Sequence, residues 1–106
     1  MKKIIMLIGF SLVGISIVLV AGSRQRSYVP PEGFVPNEKT AIRIAVAVWS
    51  PIYGEEKIEA EKPFVATLKN GVWMVHGSLP KGLAGGVAIA EIAKRDGRIL
   101  RVSHGR

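Results

Sequence analysis

The apolar residues of this chain follow three regimes of spacing, and each predicts a different kind of structure. From Ile4 to Val20 they are almost continuous. Between Lys39 and Trp49 they take helical spacing, with Ile42, Ala45, Val46 and Trp49 at i, i+3, i+4 and i+7. Ala41, Ile44 and Val48 add a second apolar stripe, so this helix should be covered on more than one side. After Pro63 the period drops to two. Phe64, Ala66 and Leu68 alternate with Val65, Thr67 and Lys69, and Trp73, Val75 and Leu79 share one face of a return strand from Val72 to Leu79.

Polar and turn-forming residues punctuate these runs. Asn37 is placed as an N-cap, its side-chain oxygen free to accept an orphan amide of the first turn, and Glu38 follows where the helix dipole favours an acid. Ser50-Pro51 should end or kink the helix, with Ile52-Tyr53-Gly54 restarting a turn and Glu55–Glu59 forming a short helical segment. Asn70-Gly71 is a two-residue hairpin signal, because a type I′ turn needs positive φ at both positions. A glycine-rich loop, Pro80–Gly86, leads to a third strand over Val87–Arg95, with a bulge expected at Gly85-Gly86. Asp96-Gly97 reads as a second tight turn and Arg98–His104 as a fourth strand with Leu100 and Val102 inward. The predicted fold class is α+β: one main N-terminal helix packed on a four-stranded antiparallel meander, with Trp49 and Trp73 at the core.

Three segments are expected along the chain. Residues 1–23 have a basic start at Lys2 and Lys3, an apolar run and the small residues Ala21, Gly22 and Ser23, the layout of a secretory signal. The 17-residue run Ile4–Val20 exceeds the ~7–15 of an ordinary signal and approaches the ~17–25 of a spanning helix, so an uncleaved membrane anchor is the alternative. Either fate exports the rest, to the periplasm or to the periplasmic side of the inner membrane. Residues 24–36, with three prolines and a glycine, read as an extended linker whose Tyr28, Val29, Phe34 and Val35 lie over apolar surface. Residues 37–106 form the domain.

Composition narrows the chemistry. The chain has no cysteine, which removes disulfides, thiolate metal sites, thiol nucleophiles and a lipoprotein anchor together. Without Lys2 and Lys3 the formal charge falls from +7 to +5, favouring an anionic partner. The basic residues are scattered without aromatic alternation, so nucleic acid is not an expected partner. The glycine-rich loop leads into a strand-like run rather than a helix, and neither G-x-G-x-x-G nor G-K-[ST] is present, which argues against a phosphate cradle. His76 and His104 are the only histidines and lack neighbouring carboxylates at ligand spacing, so no metal or cofactor is expected. His104 sits at the end of the last strand, where fraying is expected. Ser103 and His104 fall on opposite strand faces and cannot act together as nucleophile and base. Glu55, Glu56, Glu59 and Glu61, interleaved with Lys57 and Lys62, read as a solvated helical surface. No acid, base and oxyanion site assemble from these residues, and no small-molecule substrate is implied.

Two stretches, Phe34–Phe64 and Gly71–Arg106, carry a more specific signal. Its parts are Ile-Tyr-Gly-Glu at the helix end, Lys-Pro-Phe before the first strand, and Trp73 followed by Val-x-Gly. The Leu-Pro-x-x-x-x-Gly-Gly-Val loop, the strand Glu-Ile-x-Lys-x-Asp-Gly and the final Ser-His-Gly complete it. Together they resemble the NTF2-fold immunity proteins of bacterial polymorphic toxin systems. The resemblance implies a cystatin-like or NTF2-like fold and a non-catalytic role, binding and neutralising a cognate toxin, here at the cell envelope. It supplies no residue roles. By position in exposed loops beside the sheet, the contact surface is expected at Tyr53, Glu55 and Glu56, at Pro80, Lys81, Gly82, Gly85 and Gly86, and at His104. Two alternatives stay open: an exported PepSY-like modulator of a peptidase or sensor, suggested by Asp-Gly-Arg-Ile-Leu-Arg-Val, and a small NTF2-like enzyme of the isomerase or dehydratase kind. A membrane contact through the first residues would follow if the leader is retained.

Overall fold

The computed structural model describes residues 26–105. The leader or anchor expected over residues 1–23 lies outside the described residues. Two helices, α1 (Glu38–Tyr53) and α2 (Glu55–Glu59), precede four strands, β1 (Val65–Lys69), β2 (Val72–His76), β3 (Ala88–Ala93) and β4 (Ile99–His104). The strands form one antiparallel sheet in the order β1-β2-β3-β4, the expected meander, and α1 packs across one face.

Local chemistry sets both ends of α1. Asn37 has extended backbone, and its Oδ1 accepts from Thr40 N at 2.9 Å and from Thr40 Oγ1 at 2.8 Å. Such a cap is worth about 1 kcal/mol. Of the two outcomes expected at Ser50-Pro51, an end or a kink, the end does not occur: the helix continues through Pro51 to Tyr53. Pro51 deprives only one carbonyl of an N–H so close to the C-terminus. The last turn is held by Ser50 Oγ donating to Val46 O (2.8 Å) and Gly54 N donating to Ser50 O (2.9 Å).

The core lies between α1 and the sheet. Ala41, Ala45 and Trp49 of α1 are buried against two cross-strand rows, Ala66–Val75–Ala90 and Trp73–Ile92. Small residues at 41, 45, 66, 88 and 90 let the layers approach, and the two tryptophans fill the space. Each indole N–H is satisfied as burial requires: Trp49 Nε1 donates to Ile89 O (3.2 Å) and Trp73 Nε1 to Val35 O (2.8 Å). Phe64 packs on Trp49 at 5.8 Å between centroids, tilted by 50°.

Several expected inward positions point elsewhere. Leu68 shares its row with Trp73 yet is 43% exposed, because it lies at the sheet edge. Leu79 is exposed because β2 ends at His76; Gly77 N still donates to Ala88 O, but Ser78 N turns to Glu61 O. Leu100 is exposed because the bulge, expected at Gly85-Gly86, lies in β4. Glu91 pairs with Arg101 and Ile92 with Ile99, leaving Leu100 as the extra residue. β3 and β4 are correspondingly shorter than expected.

Asn70 (φ 50°) and Gly71 (φ 75°) make the predicted two-residue turn. The β3–β4 turn is longer than the expected Asp96-Gly97 pair. Ala93 N donates to Arg98 O and Gly97 N to Ala93 O, so residues 94–97 form the loop. The end of the expected linker belongs to the fold: Phe34 N and Val35 N donate to Arg95 O and Lys94 O at 2.9 and 3.0 Å, and Val35 is completely buried. Tyr28, Val29 and Phe34 remain largely exposed.

Candidate functional site

The residue that organises the site is one that composition disguised. Glu61, expected on a solvated acidic surface, is 5% exposed. It follows α2 by one turn, three residues after Ile58, which is fully buried and fixes that side of the segment inward. The spacing was the available signal: Glu59 and Lys62 pair on the outside at 2.7 Å, whereas Glu61 continues the Ile58 face.

Glu61 reaches three strand ends at once. Its main-chain oxygen accepts from Ser78 N after β2 (2.7 Å), its Oε1 accepts from Ala88 N at the start of β3 (2.8 Å), and its Oε2 meets His104 Nε2 at the end of β4 (2.7 Å). Gly77 makes room for it. A Cβ on Gly77 would overlap the Glu61 carboxylate. His104 therefore does not fray: its side chain is 14% exposed, against 7% for Glu61. Its Nδ1–H donates to Gly105 O (2.8 Å), and the tilted Tyr53 ring packs on it at 5.1 Å. The Nε2···Oε2 contact ties the imidazole directly to the carboxyl group. Every buried side-chain nitrogen and oxygen among the described residues has a hydrogen-bond partner.

Above this pair opens a cleft of about 580 Å³. Lys57 and Ala60 form one wall. The β2–β3 connection supplies the other through Leu79, Pro80, Leu83 and Gly85-Gly86, with Glu61 and His104 beneath. The loop is shaped by a Pro80–Leu83 turn (Leu83 N donates to Pro80 O, 3.1 Å) and by Gly82 and Gly85 at φ 81° and 126°. Leu79 and Leu83 stay 42% and 62% exposed, so the cleft offers apolar side chains at its mouth and a polar floor.

The expected contact residues divide. Pro80, Gly85, Gly86 and His104 line this cleft, and Tyr53 supports His104 from beside it. Glu55 faces a separate groove along α1. Glu56, Lys81 and Gly82 are exposed and do not line the cleft. Lys57, Ala60, Glu61 and Leu79 belong to the cleft but were not among the expected residues. Among the described residues no three His, Cys, Asp or Glu side chains gather to hold a metal ion.

The helix packed on a four-stranded antiparallel sheet agrees with what comparison finds. A model of the family described as NTF2 fold immunity protein matches residues 40–106. The chain belongs to that family. Two proteins of Escherichia coli (strain K12) are also similar, YhhH and YbbC, both described as uncharacterized. Each is 40% identical over 73 residues, covering 68% of this chain and 58% and 60% of their own lengths. The chain thus spans about three-fifths of the curated relatives it matches. No solved structure matches.

Proposed function

We propose that this protein binds and neutralises a cognate bacterial toxin at the cell envelope, without catalysing a reaction. The observation that carries the reading is membership of an immunity-protein family over residues 40–106. Immunity of this kind needs a rigid surface that fits one partner, and the Glu61–His104 cleft supplies one. Its exposed leucines suit an apolar anchor from the partner, and its floor is fixed by hydrogen bonds to three strands.

The main competing reading, a small NTF2-like enzyme, gains a possible acid–base pair from Glu61 and His104. Two features favour binding instead. The cleft is open rather than enclosed. In addition, both carboxylate oxygens and both ring nitrogens are engaged by the fold itself, as in a tie between strands. The basic charge of the chain fits an acidic partner surface.

The test is co-expression of the full chain with toxins encoded beside it, followed by growth measurement and pull-down. Protection by the wild-type chain is expected, with Leu83→Asp weakening toxin binding by about tenfold or more at unchanged thermal stability. Loss of protection by no cleft variant would remove the cleft as the contact surface. Failure to protect against any encoded toxin would remove the immunity reading itself.

A further inference from the structure

A helix that is apolar around most of its circumference persists in water where more than one side is covered. α1 has that composition: between Ala41 and Trp49 the sole charged residue is Arg43. The sheet buries Ala41, Ala45 and Trp49, but it leaves Ile42 and Val46 half-buried and Ala47 exposed. With Phe64 these three residues line a second groove of about 530 Å³, whose far wall carries Glu55 and the mutually paired Glu59 and Lys62. None of its residues belongs to the Glu61–His104 cleft.

The two ends of this groove carry opposite charges. Arg43 stands at the N-terminal end and Glu55 at the C-terminal end, both exposed. Among the described residues neither takes part in an ion pair. An apolar strip with unlike charges at its ends is complementary to itself when turned end for end, which is the requirement for a twofold contact between identical chains.

We infer that this groove is a homodimer interface, in which α1 of one copy lies antiparallel on α1 of a second copy with Ala47 at the twofold axis. The small side chain at 47 lets the helix axes approach to the about 8–10 Å of packed helices. At about 1.5 Å per residue, Arg43 lies about 6 Å from Ala47 along the axis. Antiparallel pairing sets it beside position 51 of the second copy, four residues before Glu55, which opens α2 on the same groove. The charges also select this occupant over the chain's own N-terminal apolar run. Ile4–Val20 contains no charged residue and would leave both Arg43 and Glu55 uncompensated.

Because the chain has no cysteine, a single introduced thiol reports the contact without background. Full-length Ala47→Cys, purified in detergent and mildly oxidised, is expected to form a disulfide-linked dimer. Lys81→Cys, exposed in the glycine-rich loop, is expected to stay monomeric. In the Ala47→Cys background, Arg43→Glu and Glu55→Arg should each weaken dimerisation by about threefold to tenfold, and the double charge reversal should restore it. Sedimentation of the same charge variants without the thiol provides a second readout, and circular dichroism confirms their fold. The proposal is overturned if Ala47→Cys cross-links no better than Lys81→Cys, or if it captures a different polypeptide instead of its own copy. It is equally overturned if the double reversal stays as weak as the single ones.

Discussion

The two ends of the sheet are closed in different ways. At the hairpin end, Asn70-Gly71 and residues 94–97 turn the chain, and Gly33–Val35 lies across the second turn. Its ties are main-chain hydrogen bonds, one indole N–H from Trp73 to Val35 O, and Lys94 Nζ, which donates to Glu32 O and lies 3.4 Å from the exposed Glu32 carboxylate. At the opposite end the strands finish without tight turns, and one carboxylate with its own main chain gathers Ser78, Ala88 and His104. The first closure distributes its energy over several main-chain bonds and one ion pair whose carboxylate is exposed. The second concentrates it in one buried, charge-bearing residue, so the two ends should respond very differently to single substitutions.

The largest expected effect is at Glu61. Glu61→Ala leaves Ala88 N–H and His104 Nε2 without partners, and should lower stability by about 3–5 kcal/mol. For a domain of this size, with a total stability of only about 4–12 kcal/mol, urea titration should find the variant marginal or unfolded. A cycle with His104→Ala sharpens the point. Coupling of at least about 1 kcal/mol is expected, and additive losses would mean that the pair is not a functional unit of the fold.

Gly77→Ala comes next. The new methyl meets the Glu61 carboxylate and should cost about 1–3 kcal/mol by displacing it. Because the new methyl also meets the Glu61 Cβ at 2.8 Å, urea titration should show the loss for Gly77→Ala itself, and an unchanged midpoint would mean that the Glu61 side chain can shift without cost.

The smallest effect belongs to the hairpin end. Trp73→Phe removes the N–H to Val35 O while keeping an aromatic ring, for a loss of about 1 kcal/mol in thermal unfolding. Hydrogen exchange should quicken at the Phe34 and Val35 amides, and unchanged protection there would show that the strap does not depend on the indole.

That contrast also explains what the sequence could reveal. Asn37, Asn70-Gly71 and the alternation through Trp73 and Val75 act through neighbours a few residues away, so their roles were readable from spacing. Helix, meander and both core tryptophans followed from them. The cleft was only half legible. Its glycine-rich wall is visible in composition, but its floor depends on pairings across 27 and 43 residues, from Glu61 to Ala88 and to His104. An acid among exposed acids and a histidine near a chain end give no local sign of meeting. Leu100 was misplaced for a related reason: alternation cannot register one inserted residue, and the bulge shows only against the partner strand. The segment through Val35 looked like a linker because its prolines obscure the one residue that enters the core.

The bulge at Leu100 has a further effect on how the protein behaves when crowded. β4 is an outer strand, and its extra residue throws the exposed row of amides and carbonyls out of step with any straight newcomer. Fibre-like growth by stacking one sheet beside the next is therefore frustrated on that flank. Only β1 presents a regular border, and Lys69 stands at its end as a solvated guard.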